Sequence, residues 1–167
     1  MTASPLTNIV ALPTNIPQPA PAPSSPVANL RVSPNPNAAP ARRILVLEDD
    51  ASFREIMQCY FLEQGFEVVT VQNGVEGVHE ILAGDFDAIL CDMQMPTLPG
   101  DMFYRAVERM RPHLCDRFVF MTGYRGNPKV NEFIGSVNGM VLIKPFHMDD
   151  LQEMLAFVEL RGFLMAA

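Results

Sequence analysis

Three carboxylates, a hydroxyl and an ammonium stand far apart in this sequence, as Glu48-Asp49, Asp92, Thr122 and Lys144. Brought together, the carboxylates would repel, and one would take up a proton unless a cation lay among them. A hard divalent ion resolves that conflict through oxygen ligands. Mg²⁺ in particular favours one or two carboxylates together with waters and phosphate oxygens. Lys144 could pair with Asp92 or with an incoming phosphoryl oxygen, and Thr122 could donate a hydrogen bond to the same oxygen. An aspartate in such company is equipped to attack phosphorus and form an acyl phosphate. Positioning and charge neutralisation would supply most of the catalysis.

Each motif also has a plainer reading. Glu48-Asp49-Asp50 could simply begin a helix, because acids favour helix N-termini, with Asp50 or Ser52 as the cap. Thr122 could be a turn residue before Gly123, and Lys144-Pro145-Phe146 a strand-to-helix connection. The elements around them decide between the readings. Arg43–Leu47 (RILVL), Glu67–Val71 (EVVTV), Ala88–Cys91 (AILC), Phe118–Met121 (FVFM) and Met140–Ile143 (MVLI) are short apolar runs of strand length. Helical spacing links Phe53, Ile56, Met57, Tyr60 and Phe61, with Gly65 as the stop. It recurs through Val75, Val78, Ile81 and Leu82 after Asn73-Gly74, and through Leu151, Met154, Leu155 and Val158 near the end. Asp101–Met110 and Pro128–Ile134 complete five helices.

Alternating apolar strands and amphipathic helices imply a parallel sheet covered on both faces. The expected fold is α/β, a flavodoxin-like doubly wound (βα)5 sheet of order 2-1-3-4-5. Its binding edge lies at the carboxyl ends of the strands, where all four motifs would fall. Joint register makes cation binding and phosphoryl chemistry the preferred reading.

Composition narrows the setting. The chain has 167 residues and a net charge of −7, which argues against direct nucleic-acid binding, since that needs a basic face. No apolar run approaches the ~18 residues that span a bilayer, and residues 1–10 lack the charged and apolar regions of a signal peptide. The expectation is a cytoplasmic protein without membrane contact. Cys59, Cys91 and Cys115 match neither a disulfide framework nor a metal site. The three histidines (His79, His113, His147) are scattered and expected at the surface. Residues 1–41 differ from the rest: 10 of the 15 prolines lie in this stretch, with no acidic or aromatic residue. Such a segment buries too little apolar surface to offset chain entropy and reads as a disordered Pro/Ala-rich tail. Residues 42–167 form the folded domain.

With these residues in view, the sequence resembles the receiver domain of two-component response regulators. The resemblance rests on ILVLEDD (Ile44–Asp50), ILCDMQMPTLPG (Ile89–Gly100), FMTG (Phe120–Gly123) and LIKPF (Leu142–Phe146). Their spacings fit as well: 43 residues from Asp49 to Asp92, 30 on to Thr122 and 22 on to Lys144. By this resemblance Asp92 is the phosphoacceptor and belongs to the Mg²⁺ site, where Asp49 is a direct ligand. Glu48 acts through water, and the backbone carbonyl of Gln94 is a further ligand. Thr122 is the switch hydroxyl and Lys144 the phosphoryl-contacting lysine, followed by a cis peptide to Pro145. The implied partners are a sensor histidine kinase or a phosphotransfer protein, and a downstream protein bound by the fourth helix, fifth strand and fifth helix. Homodimerisation stays open. The implied protein is not an enzyme beyond its own phosphotransfer and dephosphorylation, and its output is expected from the receiver itself, in the manner of single-domain regulators.

The sequence departs from the family at one signalling position. An aromatic residue usually stands three places before the lysine, and here that place is Val141. Signalling is therefore expected to take another route, through Tyr124 and the turn-rich Gly123–Pro128. The first alternative is a constitutive scaffold that keeps the fold without switching. A Mg²⁺-dependent phosphatase ranks lower, since Gln94 stands where such enzymes carry a second acid. A flavin site lacks its phosphate-cradling loop.

Overall fold

The computed structural model describes residues 42–123, 128–137 and 139–166. The expectations for the tail, 1–41, and for Tyr124 lie outside the described residues. The elements are β1 (Arg43–Leu47), α1 (Ala51–Glu63), β2 (Glu67–Val71), α2 (Gly74–Ala83), β3 (Ala88–Asp92), α3 (Gly100–Met110), a 3-10 turn (Pro112–Arg117), β4 (Phe118–Thr122), α4 (Pro128–Ser136), β5 (Met140–Ile143) and α5 (Met148–Ala166). The strands form one parallel sheet in the order β2-β1-β3-β4-β5, as expected. β3 and β4 each run one residue beyond their apolar runs and so include Asp92 and Thr122.

The central strands feed two cores by simple alternation. Leu45, Leu47, Ile89, Cys91, Phe118 and Phe120 face one way, joined by Phe103, Tyr104 and Val107 of α3. Ile44, Val46, Ala88, Leu90, Val119 and Met121 face the other, joined by Met57 and Phe61 of α1 and by Leu151, Leu155 and Val158 of α5. Strands buried on both faces have no polar alternation, which is why they read as continuous apolar runs.

The helix stripes need correction. Ile56 is 54% exposed, and Val75 and Leu82 are exposed too. Steps of three and four trace an arc wider than the strip of helix the sheet covers. On α2 the covered strip is partly glycine. A Cβ at Gly77 would lie 2.5 Å from Leu47 Cδ2, so the helix packs through bare backbone. The punctuation holds: Asp50 accepts from the Phe53 amide at 2.9 Å to cap α1, Asn73 caps α2, and Gly65 takes φ 83° after α1. No buried residue belongs to α4. It rests on the first core through half-buried Val130 and Phe133, joined by Val137 just after the helix.

Candidate functional site

Register assembles the site. Leu47 pairs with Cys91 across β1 and β3, so the residues that follow, Glu48 and Asp92, leave the sheet side by side. Asp92 pairs with Met121, which places Thr122 one step further along β4. The Lys144 amide donates to the Thr122 carbonyl at 2.8 Å. All four motifs therefore meet at one edge, and the Lys144-Pro145 peptide is cis.

Glu48, Asp49 and Asp92 offer carboxylate oxygens that lie within 4.8 Å of one another. Glu48 (2% exposed) and Asp92 (6%) are buried, whereas Asp49 faces solvent. The Lys144 ammonium donates to Glu48 Oε2 and to Asp92 Oδ2, at 2.6 Å each. Burial raises the pKa of Glu48, with the Asp92 charge adding to it, and the Lys144 bond opposes the rise. Burial presses the Lys144 pKa down, but its bonds to Asp92 and Glu48 together outweigh that and hold it above the ordinary value. The ammonium is thus a fixed positive charge, shared between two acids while a third stands beside them. Three acids against one cation leave room for a further positive charge. The donor set, all carboxylate oxygen, suits a hard ion such as Mg²⁺.

The remaining candidates fall close by. The Gln94 amide donates to Asp92 Oδ1 at 2.8 Å, which turns the loop after β3 back over the acid. Thr122 is buried at the end of β4. Asp50 serves as the helix cap, so two of the three consecutive acids face the cluster and the third holds α1. Cys91 is buried, and burial pushes its thiol pKa well up, as expected of an inert core thiol. His79, His113 and His147 are exposed.

Sequence reasoning missed several contributors. Phe53, expected in the helix core, flanks the site: the Lys144 ammonium lies 4.9 Å from its ring centroid, and Phe146 meets it edge-on at 5.9 Å. With Glu48, Asp50, Lys144 and Pro145 these rings line a groove of about 480 Å³. Arg54 donates to the Glu48 carbonyl at 2.6 Å and to the Asp49 carbonyl at 3.3 Å. Gly100 lies so close beneath β3 that a Cβ there would approach the Asp92 carbonyl oxygen to 2.5 Å. The KPF motif could have signalled Phe146; carbonyl contacts and close approaches leave no spacing signal.

The aromatic bulk absent at Val141 is present on the neighbouring strand. Phe120 pairs directly with Val141 in the sheet. Its ring meets Phe133 of α4 at 5.3 Å and Tyr104 of α3 at 5.6 Å, edge to face. A Cβ at Gly139 would lie only 2.3 Å from that ring.

Comparison with known proteins agrees with this geometry. The family model described as the response regulator receiver domain matches residues 44–156. Transcriptional regulatory protein TcrA of Mycobacterium tuberculosis is 31% identical over 123 residues, covering 72% of this chain and 47% of TcrA. Response regulator receiver protein CpdR of Brucella abortus is 28% identical over 110 residues, covering 66% of this chain and 90% of CpdR. The solved structure of chemotaxis protein CheY4 of Vibrio cholerae superposes with a TM-score of 0.64 at 25% identity, over 71% of this chain and 98% of that one. The chain spans about half the length, or less, of the transcriptional regulators it matches.

Proposed function

Since the chain belongs to the response regulator receiver domain family, we propose that it is a phosphoacceptor switch of a two-component or phosphorelay system. Phosphorylation of Asp92, dependent on Mg²⁺, alters what the domain binds. The observation that carries this reading is the Lys144 ammonium, 2.6 Å from both Glu48 and Asp92 in a cluster of three acids still two formal positive charges short of pairing.

In this mechanism Asp92 is the nucleophile. One of its oxygens forms the bond to phosphorus as the donor's bond to phosphorus breaks, and the leaving group keeps the electron pair. Lys144 then moves its contact from the carboxylate to the phosphoryl oxygens, and Thr122 donates to one of them. Asp49 and Asp92 would hold Mg²⁺ directly, Glu48 would act through water, and the Gln94 carbonyl would complete the protein ligands. When bound, the cation supplies charge neutralisation for the phosphoryl oxygens. The protein catalyses only its own phosphotransfer and dephosphorylation.

The donor is a sensor histidine kinase or phosphotransfer protein in the cytoplasm, and the output is a protein bound at the face of α4, β5 and α5. Among the described residues no helix is long and apolar enough to cross a membrane. The alternative, a constitutive scaffold, draws support from Val141 alone. It leaves three clustered acids without a use.

The test is incubation with Mg²⁺ and a small-molecule phosphodonor, followed by intact mass, with Asp92→Asn as the control. One phosphoryl adduct that requires Mg²⁺ and is absent from the variant is expected. A folded, Mg²⁺-binding protein that takes no adduct would leave the scaffold reading.

A further inference from the structure

Arg54 is oddly placed by the ordinary electrostatics of helices. It lies in the first turn of α1, its amide bonded to the Asp50 carbonyl at 2.9 Å. The positive end of the helix dipole disfavours a cation there, and the one acid at this helix end, the Asp50 cap, is engaged with the Phe53 amide. Long side chains on a helix point back towards its N-terminus. That direction carries the half-buried Arg54 guanidinium over the two residues that precede the cap. There Nη1 donates to the carbonyl oxygens of both Glu48 and Asp49. On the other side of this turn, the Glu48 amide donates to the Val71 carbonyl at 3.1 Å, tying it to β2.

We propose that Arg54 is a positioning residue for the divalent cation. By holding the Glu48 and Asp49 carbonyls, it fixes the backbone from which both carboxylates project, and so presets the oxygens that receive the ion. The inference rests on reading the site as Mg²⁺-binding. Backbone that one planar nitrogen ties at two carbonyls loses little freedom when the ion arrives. A lysine has the charge, but on a flexible stem without the planar guanidinium's pre-organised donors.

Positioning and plain charge make opposite forecasts. Were Arg54 only a nearby positive charge, its removal would tighten Mg²⁺ binding by relieving repulsion. As a positioning group, its removal weakens binding, and partners of metal ligands typically contribute about ten-fold or more in affinity. The experiment is calorimetric titration of the full chain with Mg²⁺ alone, comparing Arg54 with Arg54→Gln and Arg54→Lys. Phosphorylation rates across Mg²⁺ concentrations and Mg²⁺-free urea melts accompany it.

Arg54→Gln is expected to weaken Mg²⁺ binding about ten-fold, and to shift the Mg²⁺ concentration that half-saturates phosphorylation by a similar factor. Arg54→Lys should recover part of the affinity. Should Arg54→Gln fail to fold, a loss of affinity in Arg54→Lys at unchanged melting midpoint carries the same conclusion. Unchanged or tighter Mg²⁺ binding overturns the proposal, as does a lower melting midpoint with affinity intact, which marks a purely structural arginine. The parent reading fails separately: a protein that binds Mg²⁺ but takes no phosphoryl group refutes the switch while leaving the Arg54 comparison fully readable.

Discussion

The two edges of the sheet solve opposite electrostatic problems. At the amino edge, charges are matched by the chain itself. Arg43 meets Glu67 at 3.0 Å and its amide meets Asp87 at 2.7 Å. Asp85 receives both Arg111 and His113, and Arg117 reaches Asp87 at 3.6 Å. Several of these cations also hold backbone carbonyls, as Arg117 does with Phe86 at 2.6 Å and Arg111 with Ile81 in the last turn of α2 at 3.0 Å. At the carboxyl edge, one ammonium is shared by two buried acids while a third, exposed acid stands beside them. The first edge ties loops down and needs nothing from solution. The second is stable enough to form yet electrically incomplete, and a site that must recruit a cation and a phosphoryl group has to be so.

Substitutions can break this contrast, starting where the effect is largest. Replacing Lys144 with Met leaves Glu48 and Asp92 buried without their cation. A loss of about 2 kcal/mol is expected in Mg²⁺-free urea melts, partly recovered by adding Mg²⁺. A neutral outcome would mean that the acids do not depend on the ammonium. Asp49→Asn should act with the opposite sign. Removing one of three repelling acids raises metal-free stability by about 1 kcal/mol. It also abolishes most of the rise in melting midpoint that excess Mg²⁺ gives the parent. At the amino edge the same kind of change should do little. Asp85→Asn is expected to cost about 0.5 kcal/mol or less at neutral pH, because its side chain is largely exposed and its ion pairs are screened.

The pH dependence of that last difference has a definite sign. The His113 bond, aided by the Arg111 charge, holds the Asp85 carboxyl below its ordinary 3.8. A depressed carboxyl stabilises the fold above its unfolded pKa and ceases to as pH falls through the folded one. The gap between parent and Asp85→Asn should therefore be full at neutral pH and begin to close below about pH 4. A gap that widened on acidification would show that His113, not Asp85, controls the cluster.

Legibility in the sequence followed the same divide between pattern and contact. β1, β3 and β4 were readable because burial on both faces leaves an unbroken apolar run. The acids, Thr122 and Lys144 were readable because each directly follows or ends such a run. Ile56, Val75 and Leu82 misled because periodicity counts apolar residues without knowing how wide a strip the sheet covers. Phe53 misled in the same way, since a position on the stripe near the start of α1 lies beside the site rather than under the helix. Arg54 left no trace and Gly100 entered only as the end of a motif, because each acts on backbone: one donates to carbonyls, the other makes room for one. Thr97, at φ 70° in the loop after β3, is equally silent, as a threonine carries no signal for a left-handed turn. Val141 was legible as an omission, but its counterpart Phe120 was visible only once the sheet register set the two side by side.

Phe120 also decides what can stand at position 139. The ring lies where any Cβ at position 139 would stand, so that position cannot gain a side chain while Phe120 stays as it is. An alanine at 139 becomes acceptable only beside a smaller residue at 120, and such a residue would in turn reopen space beside Val141 for the aromatic ring that most of the family carries there. The order of change therefore matters: a smaller residue at 120 has to come before a side chain at 139 is accepted.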